Sequence, residues 1–239
     1  MLIPRLNRCL AGLTIKFLRL SEFSKIHMQI TSLGQIRFFQ PDLKAARSSF
    51  EQALAVFKKI DDMRFAQDAQ MGLAEVDMEE DQAYKAEVTA RAVLTGVKES
   101  KDLDTEASVE VLLSRALRLQ HKLPEALRLA QHARELETQV GNRAGQIDAS
   151  AAEAEVRSDL GEATVAYLAL QKAVSDAHKT GLKPLEFQSR VLLGEVELKV
   201  GRAADARARL SALEHEAQSK GFILFARKAA AARKHRATS

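Results

Sequence analysis

Five alanines stand at an unbroken 40-residue spacing: Ala46, Ala86, Ala126, Ala166 and Ala206. Self-similarity at a fixed period of this size marks a repeat architecture, and it must be settled before any other reading of the chain. Other columns keep the same period. Gly34, Ala74, Ser114, Ala154 and Gly194 are all small, and Ile36, Val76, Ala116, Val156 and Val196 are all apolar. The column before the small one reads Leu33, Leu73, Leu113, Glu153 and Leu193, with one defect at Glu153. Seven residues after each alanine come Ala53, Val93, Ala133, Ala173 and Leu213.

The physical content of these columns is a pair of helices. The residues between breakers are strong helix formers, and aromatic residues make up only 5% of the chain. A small side chain on the first helix lets the second approach closely. The flanking Leu and Val residues form an apolar stripe. One hairpin cannot bury that stripe, but stacked hairpins can, and the outcome is a solenoid. Breakers fit the frame. Turns within a unit fall at Pro41-Asp42, Asp81, His121-Lys122, Gly161-Glu162 and Gly201-Arg202. Turns between units fall near Asp61-Asp62, Lys101-Asp102, Gly141-Asn142, Gly181 and Gly221, and glycine is a common residue just past a helix end. The expectation is an all-α, right-handed α-solenoid of about five helix-turn-helix repeats: 27–66, 67–106, 107–146, 147–186 and 187–226. A capping helix and basic tail over 222–239 follow, with Phe222, Phe225, Ala229 and Ala232 on one stripe. Residues 1–26 read as an amphipathic helix, the second helix of an incomplete unit, which suggests derivation from a longer array.

Charge and cysteine usage bear on function. The formal net charge is +4. Residues 1–26 carry a net +4 and residues 227–239 a net +5, so the five-repeat body is net −5. A basic chain suggests nucleic acid, but here the excess sits at the two ends, and binding of nucleic acid or an anionic surface through those ends is the alternative reading only. The single cysteine, Cys9, forms no intrachain disulfide and fits a reducing, cytoplasmic setting. No segment reaches the roughly 20 apolar residues of a membrane span. None of the six histidines forms an HExxH motif, and no phosphate-cradling glycine loop occurs. No catalytic, metal or cofactor residues are assigned, and no enzyme is expected.

The set Leu33-Gly34, Ala46, Phe50 and Ala53, echoed by Leu193-Gly194, Ala206 and Leu210, resembles the tetratricopeptide repeat. The usual Trp and Tyr positions are not kept, and Ala90 and Ala130 replace the aromatic. The 40-residue unit is longer than the family's 34 and is similar to units in bacterial regulatory proteins, where such arrays follow a kinase or a winged-helix domain. The resemblance implies a protein-interaction scaffold or sensor module whose first helices line a concave groove for a peptide or partner helix. The groove positions it implies are Thr31, Gln35 and Phe39; Met71, Glu75 and Glu79; Val111, Arg115 and Leu119; Glu155 and Asp159; and Val191, Glu195 and Lys199. That stripe has an apolar floor with acidic emphasis, so the expected partner is an amphipathic, partly basic protein segment, with no nucleic acid.

Overall fold

The computed structural model describes residues 34–36, 38–40 and 42–234. Residues 1–26, Cys9, Thr31 and Leu33, and the tail from 235 onward, lie outside the described residues. Residues 34–36 and 38–39 are helical and lead into ten helices. These are α1 (Leu43–Lys59), α2 (Met63–Glu79), α3 (Ala83–Ser100), α4 (Leu103–Leu119), α5 (Leu123–Val140), α6 (Arg143–Asp159), α7 (Ala163–Thr180), α8 (Lys183–Lys199), α9 (Ala203–Ser219) and α10 (Ile223–Lys234). Each helix packs on the next in antiparallel pairs, and α2, α4, α6 and α8 also pack on one another in succession. The described residues contain no strand. This is an all-α solenoid.

The connections follow one rule. A residue in the left-handed region recurs at every twentieth position: Asp61, Asp81, Lys101, His121, Gly141, Gly161, Gly181, Gly201 and Gly221. Around most of these pivots the next amide N–H donates to a carbonyl five residues back, as in Gln82 to Asp77 at 2.8 Å and Arg202 to Glu197 at 2.9 Å. That bond satisfies helix-end carbonyls that would otherwise lack partners. The residue after the pivot then caps the next helix. Asp62, Asp102 and Asn142 accept from Phe65, Thr105 and Gly145 N–H at 3.4, 3.2 and 3.1 Å. One stop and one start therefore fit into a connection of two or three residues. Helix starts at 63, 103, 143, 183 and 223 set the structural phase, so the unit boundaries at 66/67, 106/107, 146/147 and 186/187 fall within first helical turns. A periodic sequence fixes the period of a repeat but not where a unit begins.

The small column does the packing expected of it, with a refinement. A methyl group on Gly34 would lie 2.8 Å from the Phe50 ring, and one on Gly194 would lie 2.6 Å from Leu210. Where the facing residue shrinks to Ala90 or Ala130, the small residue grows to Ala74 or Ser114. Ser114 is fully buried and donates its hydroxyl to the Ala126 carbonyl at 2.8 Å. The small residue thus grows where its facing partner shrinks to alanine, the direction close packing requires. The Glu153 defect stays near the surface because its carboxylate pairs with Arg134 and Arg157 at 2.9 and 2.8 Å.

The two ends meet. In a simple solenoid each repeat touches only its neighbours. Here α10, in register with the first helices of the units, returns to the first unit. Phe39 stacks on Phe225 at 5.6 Å and approaches Phe222 at 5.8 Å, and Phe187 packs edge-on against Phe222 at 5.3 Å. Leu224 joins the core formed by Phe38, Ala46, Phe50 and Val76. Lys228 on α10 donates to Glu79 on α2. The array closes on itself, with an aromatic seam where the first and last described turns touch.

Candidate functional site

The helices α2, α4, α6, α8 and α10 turn one face each toward a common interior. A cavity of about 380 Å³ lies there, lined by Met78, Glu79, Arg115, Arg118, Leu119, Glu155, Val191, Glu195, Phe225 and Lys228 among others. It has apolar walls and a small set of convergent charges, the usual make-up of a binding cavity.

The groove positions named from sequence take different parts in it. Glu79, Arg115, Leu119, Glu155, Val191 and Glu195 line the cavity together. Lys199 and Asp159 sit at its edge, where Lys199 donates to Asp159 at 2.9 Å. Val111 is buried in the packing between α4 and its neighbours. Met71 packs against the core of the second and third units. Phe39 belongs to the aromatic seam, Gln35 is exposed, and Thr31 lies outside the described residues.

The cations of this interior come from α4 and α10, which the sequence columns did not single out apart from Arg115. Arg115 reaches Asp148 at 2.6 Å and Glu155 at 3.2 Å. Arg118 reaches Glu155 at 3.0 Å and Asp159 at 2.9 Å. Burial disfavours the Arg115 charge, but Asp148 and Glu155 outweigh it and raise its pKa. Glu155 is buried at 8% exposure between the two guanidinium groups, so it is a structural counter-ion rather than an open acid.

Glu75 and Glu195 behave differently. Both are solvent-accessible, and neither has a hydrogen-bond or ion-pair partner among the described residues. Both carboxyls are nevertheless pushed up to about 7. For Glu75 desolvation by the surrounding walls dominates, opposed by Arg115 and reinforced by Asp148 and Glu79. For Glu195 desolvation again leads, and the Glu155 charge adds to it. An accessible carboxyl held in a partly desolvated concavity gains most from a cation placed beside it.

One cluster outside this interior was not foreseen. Glu106 and Glu110, one turn apart on α4, converge with His132 of α5, and their ligand atoms lie within 4.8 Å of one another. Lys98 Nζ stands 3.5 Å from Glu106 and 3.7 Å from Glu110, and His132 Nδ1 is 2.6 Å from Glu110, so the acids are matched by side chains of the protein. Helical spacing could have paired the two acids, but only the fold supplies His132. Two of the four basic residues on α10 are engaged, Lys228 with Glu79 and Arg233 with Glu214. No described helix is long and apolar enough to cross a membrane.

No protein-family profile matches the chain, and no characterised protein matches it by sequence. Solved structures do. A thermophilic tetratricopeptide protein of Thermus thermophilus matches with a TM-score of 0.57 at 19% identity, over 86% of this chain and 98% of that one. The fold is that of the tetratricopeptide repeat. A Rap protein in complex with Competence and Sporulation Factor matches with a TM-score of 0.62 at 13% identity, over 89% of this chain and 63% of that one. Aspartyl phosphate phosphatase F from Bacillus subtilis matches with a TM-score of 0.61 at 15% identity, over 96% of this chain and 60% of that one. The tetratricopeptide array here thus spans about three-fifths of the length of those two proteins.

Proposed function

We propose that this array is a protein-interaction scaffold of a bacterial regulatory system that holds a peptide or partner helix against its concave face. The observation that carries the reading is the pair Glu75 and Glu195. Both acids are accessible and lack partners among the described residues; Glu195 lines the cavity and Glu75 stands one helical turn before the lining residue Glu79, while the other charges there are mutually satisfied. Such a face favours a segment with apolar side chains for Leu119, Val191 and Phe225, and a Lys or Arg for each free carboxyl. The likeness to a Rap protein seen with Competence and Sporulation Factor supports a binding role for this kind of array.

The test is an array of 15-residue peptides of varied charge, probed with the full chain and with Glu75→Lys/Glu195→Lys. The reading expects retention of peptides carrying two or more basic residues beside apolar ones, and loss of that preference in the variant. Equal retention of acidic and basic peptides, or an unchanged pattern in a folded variant, would overturn it.

A further inference from the structure

A second cleft lies away from the concave face. It has a volume of about 560 Å³ and opens between α5 and α7 with α6 as its floor. Arg134, Arg143, Lys172 and Lys179 border it, Ile147 and Ala173 form an apolar base, and Asp176 is the only acid in the lining.

The repeat symmetry supplies an internal control. The same groove recurs one unit earlier and one unit later, 40 residues away in each direction. In the earlier groove the positions of Gln146 and Ser150 are Glu106 and Glu110, both buried and holding Lys98 and His132. In the later groove the position of Gln146 is Glu186, buried against Lys183 and Arg190, and Arg190 also reaches Glu216 at 2.6 Å. Acids therefore neutralise and fill the flanking grooves. In the middle groove Gln146 stands where both neighbouring grooves have a glutamate, Ser150 stands where they have Glu110 and Arg190, and four cations, Arg134, Arg143, Lys172 and Lys179, face a single lining acid. Asp176 is shared by Lys172 at 2.5 Å and Lys179 at 3.4 Å, and Arg134 shares Glu153 with Arg157. Arg143 has no ion-pair partner among the described residues.

We propose that this cleft is a binding site for a phosphate-bearing small molecule of nucleotide size. Its volume lies within the range of small-ligand pockets. The guanidinium groups of Arg134 and Arg143 and the ammonium groups of Lys172 and Lys179 supply charge-assisted donors for phosphate oxygens. Ile147 and Ala173 offer an apolar seat for the body of the ligand. The site is independent of the concave face, so a phosphorylated metabolite bound here sits against the helix whose opposite side carries Glu155.

Isothermal titration of the full chain with ATP, with pyrophosphate and with adenosine tests this. The expected result is saturable binding of ATP, weaker binding of pyrophosphate, and none of adenosine. Arg143→Glu/Lys179→Glu should weaken ATP at least tenfold. Ser150→Glu, which restores the acid of the preceding groove, should do the same with an unchanged circular-dichroism melt. Absence of binding by both phosphate compounds overturns the proposal. So does ATP binding that survives these substitutions in folded protein, or adenosine binding as tightly as ATP.

Discussion

Glu137, near the end of α5, is 1% exposed, and its Oε2 has no hydrogen-bond partner. Burial pushes its carboxyl up to about 7; the Asp104 charge adds to this, and the Asn142 side chain opposes it. The backbone around it is shaped for the acid: a methyl group on Gly145 would lie 2.1 Å from the Glu137 carboxyl. A group whose folded pKa is raised is stabilising below its unfolded pKa, and that contribution is lost as pH rises through the folded value. With 4.5 as the ordinary value and about 7 in the fold, at 1.36 kcal/mol per unit, the loss is about 3 kcal/mol, complete above pH 7. Glu137→Gln keeps the shape and removes the charge. It should stabilise the protein by about 3 kcal/mol at pH 8, a rise of about 6–12 °C in melting temperature for a chain of this size. At pH 4.5 variant and parent should melt together. Thermal melts at both pH values decide it. A variant less stable than the parent at pH 8, or one with the same pH dependence, would refute the reasoning.

Three further outcomes follow from the same geometry. Phe225→Ala should cost about 3–5 kcal/mol and lower hydrogen-exchange protection around Phe39 and in α8 together, because the ring bridges both ends; loss confined to α8 would deny the closure. His121→Gly should stabilise by about 1 kcal/mol in a urea melt, since a side chain at its positive φ carries a steric cost that glycine avoids. Affinity for a basic peptide should rise between pH 6 and pH 8, because Glu75 and Glu195 must ionise to meet its cations; a flat or falling profile in a titration series would contradict their role.

The parts of the fold legible in the sequence are those that repeat locally. Period, small column and turn positions all depend on contacts within one or two units, and each is written five times. Even the left-handed pivots at Asp61, Asp81, Lys101 and His121 could be placed by their spacing from the glycines. The end-to-end closure could not, because whether Phe39 meets Phe225 depends on small rotations accumulated over the whole array. The interior charges were half legible. The columns found Glu75, Arg115, Glu155 and Glu195, but they treated the acids alike. Only the positions of Arg115 and Arg118 separate the satisfied Glu155 from the two open carboxyls. The cationic cleft was hidden for the opposite reason: its signal is the replacement of a glutamate of both neighbouring units by Gln146, outside the columns that repeat.

The central claim is that the partner lies on the concave face. Hydrogen exchange of the full chain, alone and with a basic peptide selected from the array, tests it most directly. The account predicts added protection in α2, α4, α6 and α8 and none in α3, α5, α7 and α9. Protection confined to that second set of helices would contradict it.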